Sequence, residues 1–175
     1  MNTLRTLMCG GLLLLCTGAA TAQTVQTDYD RSFNLAALKT FDFYRQDRRP
    51  DDPLAASPLN ERRINSALDA QLKAVGFSRA AAGQADFMVA YFVTTQRGLD
   101  IQDNRWGLLG RRGSINVEQV TEGTLVVVFV DRATRQEVWR GYATGTIDPK
   151  DLEKDVNKGV AKLVQKFVKD QAGRK

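Results

Sequence analysis

Residues 122–148 read EGTLVVVFVDRATRQEVWRGYATGTID, and this stretch decides the fold. Its first half, LVVVFV at 125–130, is apolar at every position and too short for a helix. Such a run, apolar at both alternating sets of positions, reads as an inner strand of a sheet. At a sheet edge it would invite aggregation, so Asp131 and Arg132, directly after it, read as charged gatekeepers. Residues 131–136 form a polar turn. Residues 137–147 (EVWRGYATGTI) then return as the next strand, which makes a β-hairpin.

Working outward, residues 85–95 (ADFMVAYFVTT) read as a second inner strand. Residues 25–30 alternate in polarity and read as the first strand. Residues 40–45 (TFDFYR) read as the next, with Phe41 and Phe43 on one face, after a short connection over 31–39. Residues 47–58 hold three prolines and a charge cluster and read as a loop.

Two helices complete the pattern. The first has Ser57 as N-cap and Pro58 at its first position. Ile64, Ala67, Leu68, Leu72 and Val75 recur at helical spacing, and Gly76 is the expected left-handed stop, with Phe77 folding back on the last turn. The second is expected to be capped by Asp148 and opened by Pro149. Leu152, Val156, Val160, Leu163, Val164 and Phe167 build its apolar stripe. Acids gather at its start and lysines later, as the helix dipole favours. The order strand, strand, helix, three or four strands, helix predicts an α+β fold. Its simplest form is a two-layer sandwich, an antiparallel sheet of about five to six strands with both helices on one face.

Residues 1–22 read as a secretory signal peptide. Arg5 supplies the positive region, Leu12 to Leu15 the apolar core, and Ala20-Thr21-Ala22 the small-x-small pattern, which places cleavage between Ala22 and Gln23. The apolar run is too short to span a bilayer. A lipoprotein requires a cysteine preceded by a small residue, but Cys16 follows Leu15 and Cys9 follows Met8. The expectation is a free periplasmic domain over 23–175 with no transmembrane segment; the alternative is an outer-membrane-associated lipoprotein.

The chain has no histidine, and its two cysteines both lie in the signal segment. The mature domain therefore has no disulfide and lacks the ligands that zinc, copper and iron sites normally use, so no metal or cofactor is expected. Histidine-based triads are excluded. None of Ser32, Ser57, Ser66, Ser78 and Ser114 has a lysine three residues on, which removes the SxxK dyad. No phosphate-binding glycine loop follows a strand. A net charge of +5 favours an anionic envelope surface or serves solubility. Nucleic acid is not an expected partner in this compartment.

Asp28 and Asp30 share a strand face, as an acid–base or calcium pair requires, although solvated strand faces show the same pattern. Asp47, Asp51 and Asp52 lack the spacing of a calcium loop and have Arg48 and Arg49 among them. Lys150, Lys154, Lys158, Lys162 and Lys166 recur every four residues. Such a row suits anionic lipid or lipopolysaccharide, or a solvated face whose stems cover the core edge. Residues 96–113 (QRGLDIQDNRWGLLGRRG) read as a long loop between two strands. There Arg97, Arg105, Arg111 and Arg112 surround Trp106, Leu108 and Leu109. Tryptophan and arginine are the residues enriched at binding hot spots, so this loop is the candidate partner-binding segment. A mobile hairpin tip whose tryptophan tucks onto the sheet is the alternative. Trp139 and Tyr142 read as core.

The strand pair at 122–148, with its Asp131, polar turn and Val138-Trp139-Arg140-Gly141, carries a resemblance. Together with VQTDYDRSFNLAALKTFDFY at 25–44, Leu72 before Gly76-Phe77, and ADFMVAYFV at 85–93, it resembles the bacterial domain-of-unknown-function family DUF4136. Members are small Gram-negative envelope proteins, frequently lipoproteins, without an assigned activity. The resemblance implies that compartment and an α+β fold and transfers no site residues. This chain departs from the lipoprotein members in lacking a lipobox cysteine.

Three functions fit these constraints: a non-enzymatic domain that binds an envelope component or partner protein, a carrier of a small apolar or lipid ligand between helices and sheet, and a hydrolase using carboxylates alone. Mass spectrometry of the protein from its host envelope tests the export reading. The expected chain begins at Gln23; a retained leader or an acylated cysteine would refute it.

Overall fold

The computed structural model describes residues 23–44, 57–81, 83–103, 115–148 and 150–173. Six strands and two helices follow in order: β1 Thr24–Tyr29, β2 Thr40–Phe43, α1 Pro58–Ala74, β3 Ser78–Arg79, β4 Phe87–Asp103, β5 Ile115–Asp131, β6 Glu137–Ile147 and α2 Leu152–Ala172. A single 3-10 turn, Leu35–Ala37, lies between β1 and β2. The sheet order is β1-β6-β5-β4-β2-β3. The ladders from β1 to β4 are antiparallel, but β2 runs parallel to both β4 and β3, so the sheet is mixed. The parallel pairs arise because α1 lies between β2 and β4 in the chain and serves as a crossover. Both helices cover one face, giving the two-layer α+β sandwich.

Local chemistry explains the element ends. Gly76 has φ 98°, and the Phe77 and Gly76 amides donate to Leu72 and Lys73 carbonyls, closing α1 with a Schellman motif. Phe77 then turns into the core against Phe87 and Phe167, at 5.7 and 5.6 Å between ring centres. Ser57 holds the N-cap position with extended backbone, but its hydroxyl makes no capping bond. The start of α2 differs from the sequence expectation. Its N-cap is Asp151, because the Asp148 carboxylate accepts the Lys150 amide instead and builds a turn ahead of the helix. Pro149 lies outside the described residues.

The inner hairpin is as expected, with β5 between β4 and β6. Asp131, however, is a turn builder and not a surface gatekeeper. It is buried, and its Oδ2 accepts both the Thr134 amide and hydroxyl at 2.7 Å. Arg135 in the same turn takes φ 59°.

The strands are also longer than their apolar runs. β4 and β5 stay paired from Phe87↔Asp131 to Asp103↔Ile115, whereas β6 leaves β5 at Thr121↔Ile147. Residues 98–103 and 115–120 thus form a two-stranded arm of about 20 Å beyond the sheet. This corrects the reading of 96–103 as loop: Leu99, Ile101, Ile115 and Val117 alternate at the strand period.

The core is aromatic at one end. Phe167 of α2 lies 4.7 Å from Phe129 and 5.2 Å from Trp139, with Phe87 and Phe77 around it. Trp139 is 1% exposed, and its indole donates to Asp170 Oδ2 at 3.0 Å, while Lys166 sits 3.5 Å from the other oxygen. Gly141 admits this packing, since a Cβ there would fall 2.4 Å from the indole and 2.7 Å from Leu163. At the opposite sheet edge, Asp86 Oδ2 accepts the Lys39 and Thr40 amides at 2.9 and 2.8 Å, joining β2 to the start of β4.

Two predictions follow from these bonds. Replacing Asp170 by Ala strands a buried indole donor and should cost about 1–3 kcal/mol in urea denaturation, with Asp170→Asn costing less. The two backbone amides hold the Asp86 carboxyl below its ordinary value of 3.8. A depressed carboxyl stabilises the fold above the ordinary carboxylate value and loses that contribution as pH falls through its folded value. Asp86→Asn should therefore be less stable than wild type at pH 6, the difference closing as pH drops below the ordinary carboxylate range. A gap unchanged with pH would contradict this.

Candidate functional site

The lysines of α2 gather on one face. Lys158, Lys162, Lys166 and Lys169 fall within an arc of about 80°. Between this face and edge strand β1 runs a groove of about 200 Å³, lined by Gln23, Val25, Lys162, Gln165, Lys166 and Lys169. Val25 faces inward with the core, and the lysines flank it along the groove. Lys162 Nζ donates to the Gln23 carbonyl at 3.1 Å, which ties helix to edge strand. Lys166 reaches Asp170, whose charge is already shared with the Trp139 indole. Lys154 and Lys150 lie nearer the helix start, among acids: Lys154 Nζ is 4.0 Å from Asp151. Lys169 completes the face and was not part of the four-residue row, because it follows Lys166 by three.

A second feature lies under the first turns of both helices, where the arm leaves the sheet. Here an apolar cavity of about 70 Å³ opens between α1, α2 and strands β4 to β6. Ile64, Val93, Leu125 and Val156 line it, together with the small residues Ala143 and Gly159. The Gln23 side chain borders it as well, with Nε2 donating to the Asp155 carbonyl at 3.1 Å. Nothing in the linear sequence marks this cavity, since its walls come from five separate elements.

The carboxylates of Asp28 and Asp30 each bond to neighbouring residues in the chain. Asp28 Oδ1 accepts the amide of Tyr29, and Asp30 Oδ1 accepts the amide and hydroxyl of Ser32 at 2.7 and 2.6 Å, which builds the turn after β1. Among the described residues no three acidic, cysteine or histidine side chains cluster as a metal site would need. Asp47, Asp51 and Asp52 lie outside the described residues. So do Arg105, Trp106, Leu108, Leu109, Arg111 and Arg112 of the candidate partner-binding segment; Arg97 stands in β4 opposite Thr121.

Trp139 belongs to the core. Tyr142 is half-buried, and its hydroxyl accepts from Arg140 at 3.4 Å. Glu137 also binds Arg140 and holds its guanidinium above its ordinary pKa. Tyr91, between β4 and α1, is pushed up to about 12, first by burial and then by the charge of Glu61. It therefore stays a neutral phenol. Neither group is poised to exchange a proton near neutral pH.

The family model described as "Domain of unknown function (DUF4136)" matches residues 25–167, and the chain belongs to that family. No curated protein matches the sequence. The fold is similar to part of a PDZ domain protein from Parabacteroides distasonis, with a TM-score of 0.56, 12% identity and 83% of this chain covered. The chain spans 36% of that protein's length. A PelC dodecamer from Paraburkholderia phytofirmans matches with a TM-score of 0.48 and 14% identity, over 83% of this chain and 97% of that one. Among the described residues no helix is long and apolar enough to cross a membrane.

Proposed function

We propose that this DUF4136 protein is an exported, non-enzymatic domain of the cell envelope that docks on an anionic surface through the lysine face of α2. The observation that carries the reading is the groove where Lys162, Lys166 and Lys169 converge beside β1, with Asp170 the one carboxylate paired to them among the described residues. Four lysines on one helical face concentrate positive potential where a surface can meet several at once. The signal-peptide pattern at 1–22 supports delivery to the envelope, and the lack of histidine in the chain supports a binding role over acid–base chemistry. The segment holding Arg105, Trp106, Leu108, Leu109, Arg111 and Arg112 is a second basic contact on its sequence.

Flotation with phosphatidylglycerol vesicles against phosphatidylcholine vesicles tests the reading. Each lysine near an anionic surface contributes about 1 kcal/mol. The double variant Lys166→Gln, Lys169→Gln should thus bind anionic vesicles about thirtyfold more weakly, and added salt should weaken the wild type. Equal binding to both vesicle types, or an unchanged double variant, would refute the lysine face.

A further inference from the structure

The apolar cavity and the lysine groove are separated by one residue. Gln23 borders both. Its amide orientation is determined by the bond from Nε2 to the Asp155 carbonyl, because the reverse orientation would set two oxygens against each other. That orientation leaves Gln23 Oε1 shut off from solvent and without a donor among the described residues. A buried acceptor with no partner is a standing penalty, and turning the side chain outward relieves it. Among the described residues Gln23 is thus a wall held by one side-chain bond, to the Asp155 carbonyl, and carrying one unpaired oxygen. Behind it, about 70 Å³ of apolar space is about half the ~150 Å³ cavity size that takes benzene, so it suits the end of one linear chain and not a ring.

We propose that cavity and groove form a single site for an anionic amphiphile. Its phosphate head lies on Lys162, Lys166 and Lys169, and the end of its linear hydrocarbon chain passes Gln23 into the space between Ile64, Val93, Leu125 and Val156. This inference rests on the docking role of the lysine face and names the ligand class that face receives. The mainly apolar lining favours a hydrocarbon occupant, and the lysines select the charge at its outer end.

Calorimetric titration of the full protein with octyl phosphate, 1-octanol and inorganic phosphate tests it. Octyl phosphate should bind at least about tenfold more tightly than either half-ligand, because only it gains both the buried methylenes and the ion pairs. Gly159→Ala is the selective variant. Its methyl would meet Ala143 Cβ at 3.6 Å and Gln23 Nε2 at 3.9 Å, ordinary contacts that the fold accepts while the cavity shrinks. It should weaken octyl phosphate about tenfold and leave docking on anionic vesicles unchanged. The Lys166→Gln, Lys169→Gln variant should weaken both. If octyl phosphate binds no better than inorganic phosphate, or if Gly159→Ala binds it as wild type does, the chain site is refuted. Persisting vesicle docking in that case confines the failure to the cavity, whereas loss of vesicle docking as well removes the lysine-face reading with it.

Discussion

Phe167 holds the two layers together. It is fully buried on α2 and sits among four aromatic rings drawn from the α1–β3 connection, β4, β5 and β6. Each offset or edge-on pair contributes about 1 kcal/mol beyond the burial of its area. Trp139 adds a directional element, since its indole must find an acceptor when buried and only Asp170, one turn past Phe167, supplies one. That bond sets both the rotation and the axial position of α2 on the sheet. Gln171 then donates to the Leu35 carbonyl at 2.7 Å, which secures the helix end to the 3-10 turn.

The position of α2 decides what its remaining residues do. With Phe167 inward, the faces bearing Lys162, Lys166 and Lys169 must turn toward β1, where their stems cover Val25. The aromatic end of the sandwich is filled, and the opposite end is not. There the small residues Gly123, Gly145, Ala143 and Gly159 stand where rings stand at the other end, and the space between helices and sheet is left open. A layered fold packed to uniform density would place larger side chains there. The contrast between the two ends is what makes the second end a candidate for a ligand.

The legible part of the fold is local. LVVVFV announced an inner strand, Gly76 a helix stop, and the Ile64–Leu68–Leu72 and Val160–Val164–Phe167 spacings two inward faces; all of these depend on a period or a single turn. The two-residue strand β3 and the parallel pairing of β2 were not legible, because each depends on a crossover whose partner lies some forty residues away. The arm is not legible in the sequence because Gly98 and the charges at 97–103 outweigh a weak alternation that gains meaning only beside residues 115–120. Asp131 reads as a surface charge and Asp148 as a helix cap in the sequence, yet the oxygens of both accept backbone amides within turns, a choice that turn geometry makes.

By itself, the sequence determined the order and character of the elements, the confinement of both cysteines to residues 1–22, and the absence of histidine from the whole chain. Those are properties of composition and of short-range periodicity, and they are complete before the chain folds. The tertiary structure alone decided that Gln23 comes to rest against residues 155, 159 and 162 of the last helix. It likewise decided that an apolar cavity and a lysine groove share that residue as their common wall. The reason is physical. A cavity is the space that side chains from distant elements fail to fill, and no single segment carries a record of it.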